Sequence, residues 1–182
     1  MSLLAIEKNR SVTSIYYSQY KLSDGEDTLS GSRIGLSYRR ELTEIWSYFV
    51  RVNSGSASGT HEADDGSETE LKASTIGLSG GMRVQYDVDV NSNGESDLIP
   101  YLGVGLTVQS YNYDFSYQDS EVGETSGTGY GPVVTLGMTI IVSDGFSLIP
   151  GYYYESVTIK TEGGDSKTIS SSGVSFAFVA RF

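Results

Sequence analysis

Hydrophobic and polar residues alternate along most of this chain, and the alternation divides it into about eight extended runs. The clearest cover 34–38, 46–52, 76–86, 102–108, 134–142, 146–154 and 174–182, while the first, 12–22, is less regular. A period of two places successive side chains on opposite faces of a strand, and no segment carries the 3.6-residue period of a helix. The runs predict strands over about 11–22, 29–42, 46–54, 71–88, 98–115, 128–142, 146–160 and 168–182. In every clear run the large apolar residues fall at even positions. The odd positions of one run read Thr75, Gly77, Ser79, Gly81, Arg83, Gln85, and those of another Tyr101, Gly103, Gly105, Thr107, Gln109, Tyr111.

Which face meets water decides the fold. A solvated sheet face is normally rich in Lys, Glu and Thr, whereas lysine is nearly absent from the odd face and glycine is abundant. Small residues interleaved with Arg and Tyr suit the interior of a narrow barrel, where side chains converge from several strands. The even, apolar face is then expected to lie in lipid. The alternative is a soluble, lipocalin-like ligand-binding barrel, with the even residues lining an internal apolar cavity.

The connections favour the lipid-facing arrangement. The links at 43–45 and 143–145 are short and join even residues to even residues, Leu42 to Trp46 and Val142 to Phe146. The links at about 23–30, 54–70, 116–127 and 161–167 are longer and polar, and that near 89–97 is intermediate. Short turns at one rim and longer loops at the other are the pattern of transmembrane barrels. Trp46, Tyr86, Phe146 and Phe182 stand near strand ends, where interfacial aromatic girdles form. The whole chain is expected to form a single domain over 1–182.

Composition narrows the chemistry. Cysteine is absent, which excludes thiolate metal sites and cysteine nucleophiles, and His61 is the single histidine. Twenty-two Gly and 14 Tyr beside 3 Pro point to strands. The net charge of −11 argues against nucleic acid as a partner. The uncharged stretch 125–143 is broken by four glycines and Pro132, so it is not a spanning helix. The opening residues 1–7 lack the basic leader and apolar run of a signal peptide, so either a cytoplasmic protein or a mature form is expected.

The end of the chain, with Val174, Phe176, Phe178, Ala180 and Phe182 alternating with other residues, resembles the closing strand of bacterial outer-membrane proteins. The segment Pro100-Tyr-Leu-Gly-Val-Gly-Leu106 resembles a strand of small OmpA/OmpX-type eight-stranded barrels. The resemblance implies an all-β, closed, antiparallel up-and-down transmembrane barrel in the outer membrane of a Gram-negative bacterium. It implies that Phe178 and Phe182 belong to a signal read by the barrel-assembly machinery. It also implies outer-membrane lipid as a partner and cleavage of a signal peptide.

Thirteen of the 23 acidic residues lie in the four longer links. They are expected to give a solvated rim, or a surface bridged by cations or offered to a basic extracellular or envelope partner. Arg33, Arg39, Arg51, Arg83 and Glu155 fall on the odd face and are expected to form a polar network inside the barrel, because an unpaired buried charge is very costly. Eight strands leave room for little more than side chains, so no general pore is expected.

Two constellations carry possible chemistry. Asp89, Asn91, Asn93 and Asp97, with Gly94 at the bend, match the first part of a calcium loop, although Pro100 replaces the closing glutamate. The same residues suit an ordinary Asn-Gly turn. Small barrel enzymes that modify lipid A resemble this architecture, and His61 with Ser67 and Asp64 or Asp65 would be the group available for such a reaction. A loop histidine without a surrounding motif is weak support for a general base. The expected role is structural, adhesive or partner-binding, without catalysis or a resident cofactor beyond possible Ca²⁺; a lipid-modifying enzyme is the alternative.

Overall fold

The computed structural model describes residues 11–23, 25, 27–62, 68–90, 98–117, 120–143, 145–160 and 166–180, with side chains placed for all of these except 62, 114–125, 160 and 180. Eight antiparallel strands close into one barrel, each paired with its neighbours in sequence and β8 returning to β1. They are β1 (Ser11–Ser23), β2 (Thr28–Glu41), β3 (Trp46–Glu62), β4 (Glu68–Gln85), β5 (Leu98–Tyr117), β6 (Ser120–Ser143), β7 (Phe146–Lys160) and β8 (Ser166–Ala180).

The orientation follows from exposure. Leu102, Leu106, Leu136 and Phe178 are 48%, 69%, 50% and 53% exposed, so the even residues of these strands form an outer apolar belt and line no cavity. That overturns the lipocalin-like alternative. From Leu98 to Val108 the outer side of β5 spans ten residue rises; at about 3.3 Å each and a tilt of about 40°, this is about 25 Å, the height of the apolar band of a membrane barrel. Trp46, Tyr86 and Phe146 rim the belt at the short-turn end, and Tyr17, Tyr130, Tyr152 and Tyr154 rim it at the other.

Two expectations need correction. In β1 the even residues point inward, with Val12, Tyr16 and Tyr20 buried while Ile15 and Tyr17 are exposed. Paired residues share a face, and β1 pairs with β2 odd to even, as in Ile15 opposite Leu36 and Tyr17 opposite Ile34. The four-residue link between Ser23 and Thr28, with Gly25 at a left-handed φ of 99°, sets that phase. The second correction concerns 54–70 and 116–127. These are strand for most of their length: β3 continues to Glu62, β4 begins at Glu68, and β5 and β6 pair up to Tyr117 and Ser120. The alternation there lacks large outward apolar residues because this part of the sheet stands above the belt.

Candidate functional site

Above the belt the barrel reverses its polarity. On its outer side the strands carry Gln19 and Lys21, Ser30 and Ser32, Ser54, Ser56 and Ser58, Ser74, Ser110, Thr158 and Ser172. Inside at this height, Tyr20, Leu22, Leu29, Ala57, Leu71, Ala73, Tyr111, Val157, Ile159 and Ile169 pack into one hydrophobic cluster with Tyr113 against it. Leu22, Tyr111 and Val157 are at most 1% exposed. The projecting part therefore folds as a water-soluble barrel does, its stability coming from internal apolar burial. β3 runs ten residues past Val52 and β5 nine past Val108, which extends the wall roughly 20–25 Å beyond the belt.

Immediately beneath this cluster lies the first half of the interior polar network. Arg33 on β2 donates to Glu155 Oε2 on β7 at 3.1 Å, and its other terminal nitrogen to Gln109 Oε1 on β5 at 3.5 Å. Gln109 Nε2 donates to the same Glu155 oxygen. The Arg33 guanidinium lies over the Tyr20 ring at 4.7 Å and faces Tyr153 at 5.2 Å. Arg33, Gln109 and Glu155 are 2%, 0% and 3% exposed. A charge so buried holds only with an opposite charge and hydrogen bonds around it, and this triad ties three strands across the lumen.

Arg39, Arg51 and Arg83 lie lower, toward the short turns. Arg39 pairs with Glu41 at 3.6 Å. Arg83 lies 3.4 Å from the Tyr101 ring centroid and donates to Thr139 Oγ1 at 3.4 Å. Arg51 faces Phe49 at 5.1 Å and Tyr16 at 5.8 Å. Glycine makes this packing possible: a Cβ at Gly137 or at its partner Gly151 would approach the Tyr101 hydroxyl to 2.7 or 2.8 Å. The five network residues thus all face inward, but they separate into two groups, the Arg33–Glu155 pair above and three arginines with Glu41 below.

Of the residues suggested for catalysis, only His61 is among the described residues. His61 Nδ1 lies 2.8 Å from Asp27 Oδ1, bridging the β3–β4 hairpin to the β1–β2 link. Ser67, Asp64 and Asp65 lie outside the described residues. Of the calcium loop, Asp89 is exposed just beyond β4, whereas Asn91, Asn93 and Asp97 lie outside the described residues. No group of three or more His, Asp or Glu able to hold a metal occurs among the described residues. At the chain end Phe178 is exposed on the belt, 6.3 Å from Phe146 between ring centroids, and Phe182 lies outside the described residues. Exposed Glu68 and Glu70 mark the acidic hairpin end, with Glu70 bonded to Lys72 at 3.2 Å.

Sequence reasoning missed the internal apolar cluster and the residues that complete the network, Gln109 and Glu41. The signal for the cluster is a change of phase within single strands: β4 has Leu71 and Ala73 at odd positions, then Ile76 and Leu78 at even ones. In β7, Tyr152 and Tyr154 are followed by Val157 and Ile159.

Comparison with known proteins agrees with this architecture. Residues 7–182 match the family described as the outer membrane protein beta-barrel domain. No match was found among curated proteins. Among solved structures, the Neisserial surface protein A is similar with a TM-score of 0.61 and 19% identity, over 94% of this chain and 97% of that one. Ail, the attachment invasion locus protein of Yersinia pestis, solved with the heparin analogue sucrose octasulfate, gives 0.57 and 15%, over 96% and 99%. OprG from Pseudomonas aeruginosa gives 0.60 and 10%, over 94% and 96%. At these identities the likeness is one of fold.

Proposed function

The chain belongs to the outer-membrane β-barrel family, and from that premise we propose that it is a sealed surface-interaction barrel rather than a channel or an enzyme. It resides in the bacterial outer membrane. The observation that carries the proposal is the reversal of polarity along the axis: a belt about 25 Å high anchors a projecting, internally packed module that holds acidic hairpins away from the lipid. The apolar cluster and the Arg33–Gln109–Glu155 triad follow one another along the lumen, which supports a closed interior.

The partners on this reading are three. Outer-membrane lipid surrounds the belt, and the assembly machinery reads the terminal pattern that includes Phe178 and Phe182. The third is a basic extracellular or envelope partner, which meets the hairpin ends. The charge supports the last: the chain carries −11 overall, and the β3–β4 hairpin alone has Glu62, Asp64, Asp65, Glu68 and Glu70 in sequence. Ail was solved with a polysulfated sugar; a ligand of that sign would be repelled here. In planar bilayers the purified protein is expected to give no unitary conductance. A cationic peptide bound by the folded protein should lose affinity severalfold on Glu68→Gln with Glu70→Gln. Stepwise conductance, or peptide binding indifferent to both changes, would refute the reading.

A further inference from the structure

The outer wall just above the belt differs around the barrel. On β1 to β4, cross-strand pairing sets the outward side chains in three rows. Tyr17, Ile34, Ser54 and Ile76 form the row at the tyrosine rim, Gln19, Ser32, Ser56 and Ser74 the next, and Lys21, Ser30, Ser58 and Lys72 the third. In the upper two rows β2 and β3 present only serine, a low floor between Gln19 and Lys21 on β1 and Lys72 on β4. β1 and β4 are three strand spacings of about 4.8 Å apart, so the floor is about 14 Å across. The result is a trough of about 1010 Å³ whose lower end meets Tyr17 and Tyr152. Beneath it the wall runs on through Ile15, Ile34, Leu36 and Phe176, each more than half exposed on the belt.

An occupant that follows this wall is an amphiphile, apolar below the rim and polar above it. Serine hydroxyls and the Gln19 amide both donate and accept hydrogen bonds, as sugar hydroxyls require. Tyr17 and Tyr152 present rings with a polar tip, which suits the boundary between the two media. Lys21 stands four residues beyond Tyr17 on β1, about 10 Å higher at a tilt of about 40°. The headgroup zone of a phospholipid leaflet is only about 5–8 Å deep, whereas a saccharide headgroup reaches the lysine row. Two of the chain's five lysines border the trough. Glu70 shares Lys72 at 3.2 Å, while Lys21 makes no ion pair among the described residues. The width of the floor separates Lys21 from Glu70, farther than the screening length of about 8 Å at physiological salt. We propose that the trough docks the phosphorylated saccharide headgroup of an outer-leaflet glycolipid. Lys21 meets the phosphate, the serine floor meets sugar hydroxyls, and the acyl chains lie on Ile15, Ile34, Leu36 and Phe176. Resting on the outer-membrane placement above, this names the lipid that one side of the barrel selects.

The full chain is folded into phosphatidylcholine vesicles doped with a purified phosphorylated glycolipid or with its dephosphorylated form. A photoreactive benzophenone side chain replaces Ser32 on the trough floor or Thr128 on β6, across the barrel. The expected result is severalfold greater capture of the phosphorylated lipid from position 32 than from position 128. K21Q should remove most of that excess, and R40Q, at the short-turn end of β2, should keep it. Excess inorganic phosphate or the deacylated saccharide should displace little of the captured lipid. Equal capture from the two positions, equal capture of the two lipid forms, or full displacement by either soluble competitor would overturn the proposal. Capture of a second copy of the chain in place of lipid would do the same. The unmodified protein gives a reading that needs no variant: its urea unfolding midpoint should be higher with the phosphorylated lipid than with the dephosphorylated one, and equal midpoints would contradict the docking site. A protein that inserts, shown by a heat-modifiable band, yet prefers neither lipid loses this site alone; the outer-membrane reading fails only if it does not insert.

Discussion

The belt and the projecting module are built from the same eight strands in the same pairing, yet one is the other turned inside out. In the belt Ile76, Leu106 and Phe176 face outward while Arg83, Thr107 and Gln109 face the lumen. Above it Ser74, Ser110 and Ser172 face outward while Leu22, Leu71 and Ile159 face in. The period of two fixes which residues share a face; the surroundings at each height decide which of the two faces must be apolar. A strand can change medium without bending or breaking, simply by moving its apolar residues from one parity to the other.

The comparison gives a graded set of tests. The largest effect belongs to the junction between the regions. Glu155→Ala leaves Arg33 buried without its carboxylate and should cost about 3–5 kcal/mol, read by urea unfolding in lipid vesicles, and should loosen both regions. Leu106→Arg, at 69% exposure within the belt, should cost about 2–4 kcal/mol and leave little heat-modifiable folded band on a gel. If that change proved neutral, the belt would not be in lipid. In the projecting core, Ile159→Val should cost about 0.5–1.5 kcal/mol and speed amide exchange there. The same change at lipid-facing Ile34 should matter less, because acyl chains fill the gap. The smallest effect is expected for Ser56→Lys on the outer wall of the module, within about 0.5 kcal/mol; a severe loss would mean that this wall is buried in the membrane.

Much of the belt was legible in the sequence because two signals coincide there: strict alternation and an odd face too poor in lysine to be solvated. Arg33, Arg39, Arg51, Arg83 and Glu155 could be placed indoors from parity alone. How they divide could not, since the pairing of Arg33 with Glu155 spans 122 residues and depends on register around the whole barrel. The projecting strands were misread as loops for a physical reason. In 54–61 the outward residues are serines and a threonine and the inward ones include Gly55, Ala57 and Gly59, so neither face looks greasy. Their partners supply the apolar bulk, with Ala73 opposite Ala57 and Leu71 opposite Gly59. The reversed phase of β1 was hidden in the same way, because it rests on the register with β2 and β8 and not on any residue of β1 itself.

The central claim is that the barrel turns inside out at the upper tyrosine rim, and the absence of cysteine from the chain makes it directly measurable. Single cysteines at 34, 76, 106 and 176 in the belt, and at 30, 56, 74 and 158 above it, can each carry a nitroxide in the protein reconstituted in vesicles. The account predicts that the first four are relaxed by lipid-dissolved oxygen and shielded from an aqueous nickel chelate, and that the second four show the opposite preference. Equal accessibility of the two sets, or nickel access throughout, would contradict it.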